Sequence, residues 1–353
     1  MSEQTEARRV PIDRLERFIE RAFEAVGMPG EDARIVAWLM AEADALGAEG
    51  HGIFRLPQYV RRIKAGGINL HPGIRIERER AGMALLDGDN AMGHLVMHRA
   101  AELATEKAVE AGVGWVGDHH SNHAGPAALY ARMPLRRGMI GLYVAVGNAN
   151  HLPPWGGTEM LLSTNPIAIA VPAAARPPLV LDMATTVAAY GKVKTKAQRG
   201  ETMPEGWMVD REGRPLTDPR RADEGFLLPI GGYKGYGLGL MFGILAGILN
   251  GAAFGRDTID FNADDTTPTN TGQFVVAIDV GAFIDLETFK RQIDTVWDTM
   301  KSSPLLTGFD EIRLPGERTH RIEQDNRARG VPIHQALDPA LAKLAAELEI
   351  EPL

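Results

Sequence analysis

The sequence contains no cysteine among its 353 residues. This absence excludes disulfide bonds, thiolate metal ligands, a cysteine nucleophile and iron–sulfur clusters, and it fits a reducing compartment. Basic residues are the minority, 38 against 46 acidic ones for a net charge of −8. Broad binding to nucleic acid or to an anionic membrane is therefore not expected. A small anionic ligand would need local positive groups.

Long uninterrupted apolar runs are also missing. The N-terminal segment MSEQTEARRVPIDRLERF has no apolar stretch of the signal-peptide kind, so a cytoplasmic protein is expected. The longest apolar stretch, residues 236–254, is interrupted by five glycines and Asn250. It predicts a buried helix rather than a membrane span.

The phosphate-binding pattern G-x-G-x-x-G is absent from its required context, a strand that leads directly into a helix. The nearest segment is GGYKGYGLGL at residues 231–240, where Lys234 is the only basic residue. It fits a tight turn before a helix as well as it fits a loop that approaches a phosphate or ribose. A Rossmann fold is therefore not predicted.

The order of predicted elements indicates an α+β protein. Residues 12–27 and 31–45 have helical apolar spacing, a helix is predicted at about 98–111, and the tail is helical at 286–300 and 339–348. Between them lie short β-like runs such as MALLD, VGWVG, MIGLYVAV, PIAIAVP and PLVLDMA. We expect a helical domain from residues 1–73 with about 300–353, and a central cofactor-binding domain at 74–299.

Two histidine segments stand out as candidate sites. His51 lies between two glycines and four residues before Arg55, a pair that suits proton transfer and carboxylate binding but also fits a surface loop. His119, His120 and His123 follow an apolar strand and could bind a metal, exchange protons or cap a helix. No HExxH pattern accompanies them, so metal binding ranks below the other two roles.

Three further segments place polar groups at strand ends or turns. STNP at 163–166 is adequately explained as a turn, although it also presents Thr164. Asp182 ends a strand, and Tyr190, Gly191 and Lys192 follow it. A strand-end carboxylate can orient a histidine or cap a helix, and a lysine can polarise a carbonyl, but position alone decides neither role.

Eight motifs occur along the chain in one order, namely EADALGAEGHGIFRLPQY, SNHAGPAALYA, PPWGG, STNPIAIAVP, LVLDMATTVAAYGKV, PEGWMVDREGRPLTDP, LLPIGGYKGYGLGL and LPGER. In this order they resemble the type-2 malate/L-lactate dehydrogenase family, over nearly the whole chain. That family includes ureidoglycolate and sulfolactate dehydrogenases, diketogulonate reductase and cyclic-imine 2-carboxylate reductases. The resemblance implies a non-Rossmann nicotinamide-binding fold with a mixed, largely antiparallel central sheet, a helical domain from both termini, and a homodimer or higher homo-oligomer.

The resemblance also implies site residues. It assigns catalysis to His51 and His123, to which we add Lys192, and no metal is expected. Substrate-binding residues would be Arg55, Thr164, Tyr190 and Gly191. Cofactor-binding residues would be His123, Ala124, Gly125, Asn148, Asp182, Met183, Ala184, Tyr233, Lys234, Gly316, Glu317 and Arg318.

The chain departs from the family pattern at two places. Gly50 stands where the family usually has a serine before the histidine, so a hydroxyl that helps to orient His51 is absent. Ala124 stands where an aromatic ring is usual, which leaves room for a substrate bulkier than lactate. In addition, Lys192 replaces an acidic residue that the imine reductases tend to carry, and a lysine would repel an iminium.

We therefore expect hydride transfer between NAD or NADP, with NAD favoured, and a small 2-hydroxy or 2-keto acid. His51 is the first choice for the proton and His123 the alternative or a nicotinamide contact. The alternatives are a cyclic-imine 2-carboxylate reductase, a metal-dependent hydrolase or lyase that uses His119, His120 and His123, and a binding protein without catalytic activity. The sequence leaves the substrate side chain and the direction of reaction open.

Overall fold

A computed structural model describes residues 8–353. Its helices are α1 (Ile12–Ala25), α2 (Gly30–Ala45), α3 (Leu56–Lys64), α4 (Gly93–Ala111), α5 (Ala128–Arg132), α6 (Tyr190–Arg199), α7 (Tyr233–Ala246), α8 (Leu286–Lys301), α9 (Glu317–Arg329) and α10 (Asp338–Glu347). Its strands are β1 (Arg8–Val10), β2 (Arg75–Arg80), β3 (Met83–Asp87), β4 (Val113–Ser121), β5 (Ile140–Ala145), β6 (Ile167–Val171), β7 (Leu179–Met183), β8 (Met208–Asp210), β9 (Pro215–Leu216), β10 (Gly225–Leu227), β11 (Thr271–Ile278) and β12 (Val331–Ile333).

The two ends of the chain pack into one hydrophobic core. Helix α1 buries Leu15, Phe18, Ile19, Ala22 and Phe23, the apolar face that its spacing predicts. The same core contains buried residues of α2, α3, β12 and α10, and β1 pairs with β12 antiparallel. On the basis of this packing we propose two domains, a helical one from residues 1–73 with about 300–353 and a central one from residues 74–299.

A seven-stranded sheet in the order β2-β3-β4-β11-β5-β6-β7 forms the centre of the molecule. Strands β3 and β4 run parallel, and the other neighbouring pairs of this sheet are antiparallel. The predicted mixed, largely antiparallel sheet is confirmed. Strand β11 lies between β4 and β5 although it is far from both in sequence. The central sheet therefore forms only when distant parts of the chain meet.

Three predicted elements differ in detail. Helix α4 begins at Gly93 rather than near residue 98, since His94, Leu95, Val96 and Met97 form its buried first turn. Strand β4 continues to Ser121, so His119 and His120 belong to the strand. Helix α7 is not the buried helix that its composition predicts.

Helix α7 packs on the sheet through Phe242, Leu245 and a row of buried glycines. Gly235, Gly239 and Gly243 are buried, whereas Leu238 and Met241 are about half exposed. A Cβ at Gly239 would lie 2.9 Å from the Thr185 hydroxyl oxygen. Glycine at this position therefore lets α7 lie close to the segment that follows β7. None of the helices in residues 8–353 is long and apolar enough to cross a membrane.

Candidate active site

The loop between α2 and α3 carries His51 and Arg55. The Asp44 carboxylate at the end of α2 accepts a 2.7 Å hydrogen bond from the backbone N–H of Ile53 and so fixes the loop. A Cβ at Gly52 would lie about 2.1 Å from this carboxylate, so only glycine fits there. A Cβ at Gly50 would meet nothing within 4 Å.

Three rings form a stack beside this loop. The His51 and His123 rings have centroids 5.4 Å apart at an interplanar angle of 11°. The other face of His123 stacks on Phe261 at 4.9 Å and 12°. The Arg55 guanidinium carbon lies 5.3 Å from the Phe261 centroid. The fold thus brings the predicted histidines and arginine together around one aromatic residue.

Tyr59 fixes the His123 ring. Its hydroxyl lies 2.5 Å from His123 Nδ1, and the backbone nitrogen of Gly125 lies 3.4 Å from the same atom. A phenol can donate or accept, so Tyr59 can hold Nδ1 in either protonation state. Proton exchange with a ligand is therefore left to Nε2 of His123.

The histidines of the stack are held neutral. Burial lowers the pKa of His123 well below its ordinary value, and the positive charge of Arg55 adds to the effect. Burial and the Arg55 charge lower the pKa of His51 to about 3. A neutral imidazole can accept a proton at neutral pH, as oxidation of an alcohol requires.

Arg55 is a buried cation whose partners are neutral. Its side chain donates to the Gly50 carbonyl, to Gln58 Oε1 at 2.7 Å and to Asn262 Oδ1 at 3.2 Å. Only 7% of the residue is exposed. A guanidinium removed from water usually pairs with an anion. The arrangement therefore fits a site for a ligand carboxylate.

A second cation shares the same amide. Lys194 Nζ donates to Asn262 Oδ1 at 2.8 Å, and burial followed by the Arg55 charge lowers the pKa of Lys194. The Lys194 ammonium also lies 5.6 Å from the centroid of the Tyr190 ring. That ring stacks on His151, with the two centroids 3.9 Å apart. Two positive groups thus converge on one neutral oxygen, and the Asp260 carboxylate accepts a hydrogen bond from the amide nitrogen of the same Asn262 at 2.9 Å.

The predicted Lys192 is not at this place. It is exposed on α6, whereas Lys194 is partly buried. Two residues along a helix differ in direction by about 200°. The predicted Tyr190 and the unpredicted Lys194, four residues apart, therefore share the inward face, and Lys192 points away from it. Lys194 is therefore the lysine that shares Asn262 with Arg55, and the catalytic role of Lys192 stays a prediction.

The three clustered histidines separate. His119 and His120 lie with Asp87, the one group of at least three candidate metal-binding side chains found in residues 8–353, and His123 is not part of it. The shared metal site considered for His119, His120 and His123 is therefore not formed. None of the three caps α5 either, because Asp182 accepts the N–H of Ala128 there at 3.0 Å.

Two adjoining cavities border the His51 loop. A cleft of about 320 Å³ is lined by Asp182, Gly316 and Ala48, among others. A larger cavity of about 680 Å³ is lined by Arg318, Phe54 and Asp44, among others, and the two share Leu46, Gly47 and Thr319 as lining residues. Their volumes fall in the range of about 300–1,000 Å³ that is typical of small-molecule sites.

Other predicted cofactor residues take different positions. The Glu317 carboxylate accepts hydrogen bonds from Lys301 and from the N–H of Leu314, so it is engaged within the protein. At the start of α7 the ring centroids of Tyr233 and Trp155 are 6.3 Å apart. Lys234, the next residue, is exposed. The remaining predicted site residues sit in partly or fully buried positions, namely Ala124, Gly125, Asn148, Thr164, Met183, Ala184 and Gly191.

Several site residues were missed by the sequence analysis. Tyr59 follows Arg55 by four residues on a helix, and Lys194 follows Tyr190 in the same way, so helical spacing could have found both. Phe261 and Asn262 arrive from a distant loop, and no local pattern indicates them. His94, fully buried at the start of α4, packs edge-on against Tyr59 at 5.6 Å.

Comparison with known proteins shows a match to one family over most of the chain. Residues 10–342 match the family described as malate/L-lactate dehydrogenase. Malate dehydrogenase from Pyrococcus horikoshii is 40% identical, over 98% of this chain and 97% of the relative. L-sulfolactate dehydrogenase from Methanothermobacter thermautotrophicus is 39% identical over 95% of both chains.

More distant relatives and solved structures agree. Ureidoglycolate dehydrogenase (NAD(+)) from Escherichia coli O157:H7 is 33% identical over 92% of both chains. The solved structure of the Pyrococcus horikoshii malate dehydrogenase superimposes with a TM-score of 0.90, at 38% identity, over 98% of this chain and 97% of that one. The similarity therefore extends to sequence and fold together.

Proposed function

Because the chain belongs to the malate/L-lactate dehydrogenase family, we propose that it transfers a hydride between a nicotinamide cofactor and C2 of a 2-hydroxy or 2-keto acid. The observation that carries this proposal is the buried Arg55, with neutral partners only, next to the fixed His123. An arginine fork binds a carboxylate, and a neutral imidazole exchanges a proton with the neighbouring oxygen.

His123 is the proton-exchanging residue of this proposal. In the oxidation direction its Nε2 accepts the proton of the substrate hydroxyl; in this tautomer Nδ1–H donates to the Tyr59 oxygen, and the long contact with the Gly125 N–H is not a hydrogen bond. A bound nicotinamide would supply the acceptor for the hydride from C2. His51, the first choice from sequence, packs on the face of His123 and excludes water from it.

The substrate carries a second anionic group. Arg55 binds the carboxylate next to C2, and Lys194, joined to Arg55 through Asn262, binds the second anion. The names of the malate and sulfolactate dehydrogenase relatives support this choice, because both substrates have two anionic groups. Lys194 and Arg55 would repel an iminium, so a cyclic-imine reductase is the less favoured alternative.

NAD is the proposed cofactor, and the two adjoining cavities are its proposed site. Asp182 and Gly316 line the smaller cavity and Arg318 lines the larger one. The name of the ureidoglycolate dehydrogenase (NAD(+)) relative supports NAD over NADP. Both cavities border the loop that carries His51.

A homodimer is proposed through the outer face of α7. Tyr233, Met241, Ile248 and Leu249 are each more than half exposed on this helix and the turn after it. An exposed apolar surface of this kind is typical of an interface between subunits. A second copy of the chain is the proposed occupant, as the resemblance to a dimeric family implies. Light scattering at micromolar concentration measures the oligomer directly.

A screen of substrates with both cofactors tests the function. The purified enzyme is assayed at the nicotinamide absorbance with NADH and NADPH against pyruvate, oxaloacetate, 3-sulfopyruvate and Δ1-piperideine-2-carboxylate. We expect the highest kcat/KM with a doubly anionic 2-keto acid and NADH. Preferred turnover of pyruvate would contradict the second anion, and preferred turnover of the cyclic imine would contradict the keto-acid assignment. No reduction of any of them would contradict the proposed function.

A further inference from the structure

A cluster of metal-ligating side chains lies at the β2-β3-β4 edge of the central sheet. One ligand atom from each of Asp87, His119 and His120 lies within 4.8 Å of the others. Strands β3 and β4 run parallel here, and Asp87 is the register partner of His119. The cluster is therefore fixed by strand pairing and not by a loose surface loop.

A fourth ligand-type group belongs to the same edge. The Glu77 carboxylate on β2 lies 2.6 Å from His119 Nε2, and the Asp87 Oδ1 atom lies 3.1 Å from His120 Nδ1. The rings of His119 and His120 have centroids only 4.2 Å apart. Two imidazoles and the Asp87 carboxylate thus form the cluster, and the Glu77 carboxylate pairs with His119 from the neighbouring strand.

The backbone holds His120 in an uncommon conformation. Its φ is +50°, a left-handed value that non-glycine residues seldom adopt. The N–H of His120 donates to Asn270 Oδ1 at 2.7 Å, and its carbonyl accepts the N–H of Asn90 at 2.7 Å. These contacts turn the His120 ring back towards His119, where a regular strand would send it to the opposite face.

Hydrogen bonds hold the Asp87 carboxylate in place. The backbone N–H of Asp89 donates to its Oδ1 at 2.9 Å, and the same oxygen lies 3.1 Å from His120 Nδ1. Arg75 also pairs with Asp87, but its side chain is 63% exposed and can leave to solvent. The carboxylate can therefore exchange this partner for a metal ion.

We propose that Asp87, His119 and His120 bind one divalent transition-metal ion, with Glu77 hydrogen-bonded to His119 as the partner that orients this ligand. Two imidazole nitrogens with carboxylate oxygens suit Zn²⁺ or Ni²⁺ better than Mg²⁺ or Ca²⁺, which favour oxygen ligands alone. The 3.1 Å separation of Asp87 Oδ1 and His120 Nδ1 is close to one edge of a tetrahedron with ligands at about 2.0–2.2 Å.

This site is separate from the reaction centre and is linked to it by hydrogen bonds between Asn90 and Asn122. His123 uses its Nδ1 for Tyr59 and is not a ligand. The Asn90 carbonyl and side chain, next to the His120 contact, accept hydrogen bonds from Asn122, which immediately precedes His123. Metal binding therefore braces the strand end that leads to His123, and it does not take part in hydride transfer.

Isothermal titration calorimetry of the full chain with ZnCl₂ tests the proposal. The informative variants are His119→Gln and His120→Asn, since asparagine tolerates the left-handed backbone at 120. His71→Gln is the matched control, because His71 is an exposed histidine outside the cluster. Titration with MgCl₂ tests the preference for nitrogen ligands, and thermal unfolding of each variant without metal checks that it is folded.

The expected result is one Zn²⁺ per chain, with the affinity of both cluster variants reduced by about tenfold or more and that of His71→Gln unchanged. Zn²⁺ should raise Tm in the parent protein and not in His120→Asn. Absence of stoichiometric Zn²⁺ binding, equal binding by the cluster variants, or equal binding of Mg²⁺ would overturn the site. The result is independent of the dehydrogenase assay.

Discussion

The hydroxyl of Tyr59 lies 2.5 Å from Nδ1 of His123 and is the hydrogen-bond partner that fixes this ring next to Phe261. Without the hydroxyl, Nδ1 keeps only the 3.4 Å contact with the Gly125 backbone nitrogen, and the ring loses the shorter of its two polar contacts. For Tyr59→Phe we expect kcat to fall about tenfold or more with little change in KM. Steady-state kinetics measures both. An unchanged kcat would remove Tyr59 from the positioning of His123.

His123 and His51 make a matched pair, because they are stacked on each other. For His123→Gln we expect kcat to fall by about 10²-fold or more, the usual contribution of a general acid or base. For His51→Gln we expect a smaller loss of kcat, since it packs on His123 in our mechanism. A larger loss of kcat in His51→Gln than in His123→Gln would identify His51 as the proton-exchanging residue. Circular dichroism confirms the fold of each variant.

Lys194 and Lys192 lie two residues apart on one helix and differ in direction. For Lys194→Met we expect KM for a doubly anionic keto acid to rise by about tenfold or more, with a smaller change for pyruvate. For Lys192→Met we expect parental KM for both substrates, because Lys192 is exposed. Equal effects of the two substitutions would contradict the assignment of the second anion to Lys194.

Gly52 and Gly50 flank His51 and differ in the space around them. For Gly52→Ala we expect a stability loss of about 1–3 kcal/mol, because its Cβ would overlap the Asp44 carboxylate. For Gly50→Ser we expect parental stability, since its Cβ would meet nothing within 4 Å. Urea unfolding measures both. A stable Gly52→Ala would show that the Asp44 contact is not needed.

Buried histidines make the folded state sensitive to acid. Burial lowers the pKa of His94 from 6.5 to about 3, so below pH 6.5 the unfolded chain takes up a proton that the folded chain does not. The contribution of His94 to stability is therefore present above pH 6.5 and lost as pH falls towards 3. For His94→Gln we expect the difference in unfolding free energy between pH 8 and pH 5 to shrink by about 1–2 kcal/mol.

Asp44 has the opposite dependence and serves as the control. Burial raises its pKa from 3.8 to about 7, so the folded chain holds a proton there that the unfolded chain has lost. Its contribution to stability is present at low pH and lost as pH rises through 7. For Asp44→Asn the difference between pH 8 and pH 5 should grow. A change of the same sign in both variants would contradict this account.

The local sequence determined the elements and the candidate residues. Period-3.6 apolar spacing predicted α1, α2, α8 and α10, and the short β-like runs predicted the strands, because helices and strands each bury a face with a fixed period. The order of eight motifs indicated the family. His51, Arg55 and His123 were therefore all identified as candidates without coordinates.

Only the tertiary structure decided which candidates meet. His123 is joined to Phe261, and Arg55 to Lys194 through Asn262, across long stretches of chain. Such contacts depend on strand order and helix packing, which residue spacing does not encode. For the same reason His119 and His120 lie beside Asp87 and not beside His123, because β3 and β4 pair in parallel. Spacing fixes which way a side chain points on its own element, whereas its partners arrive with other elements.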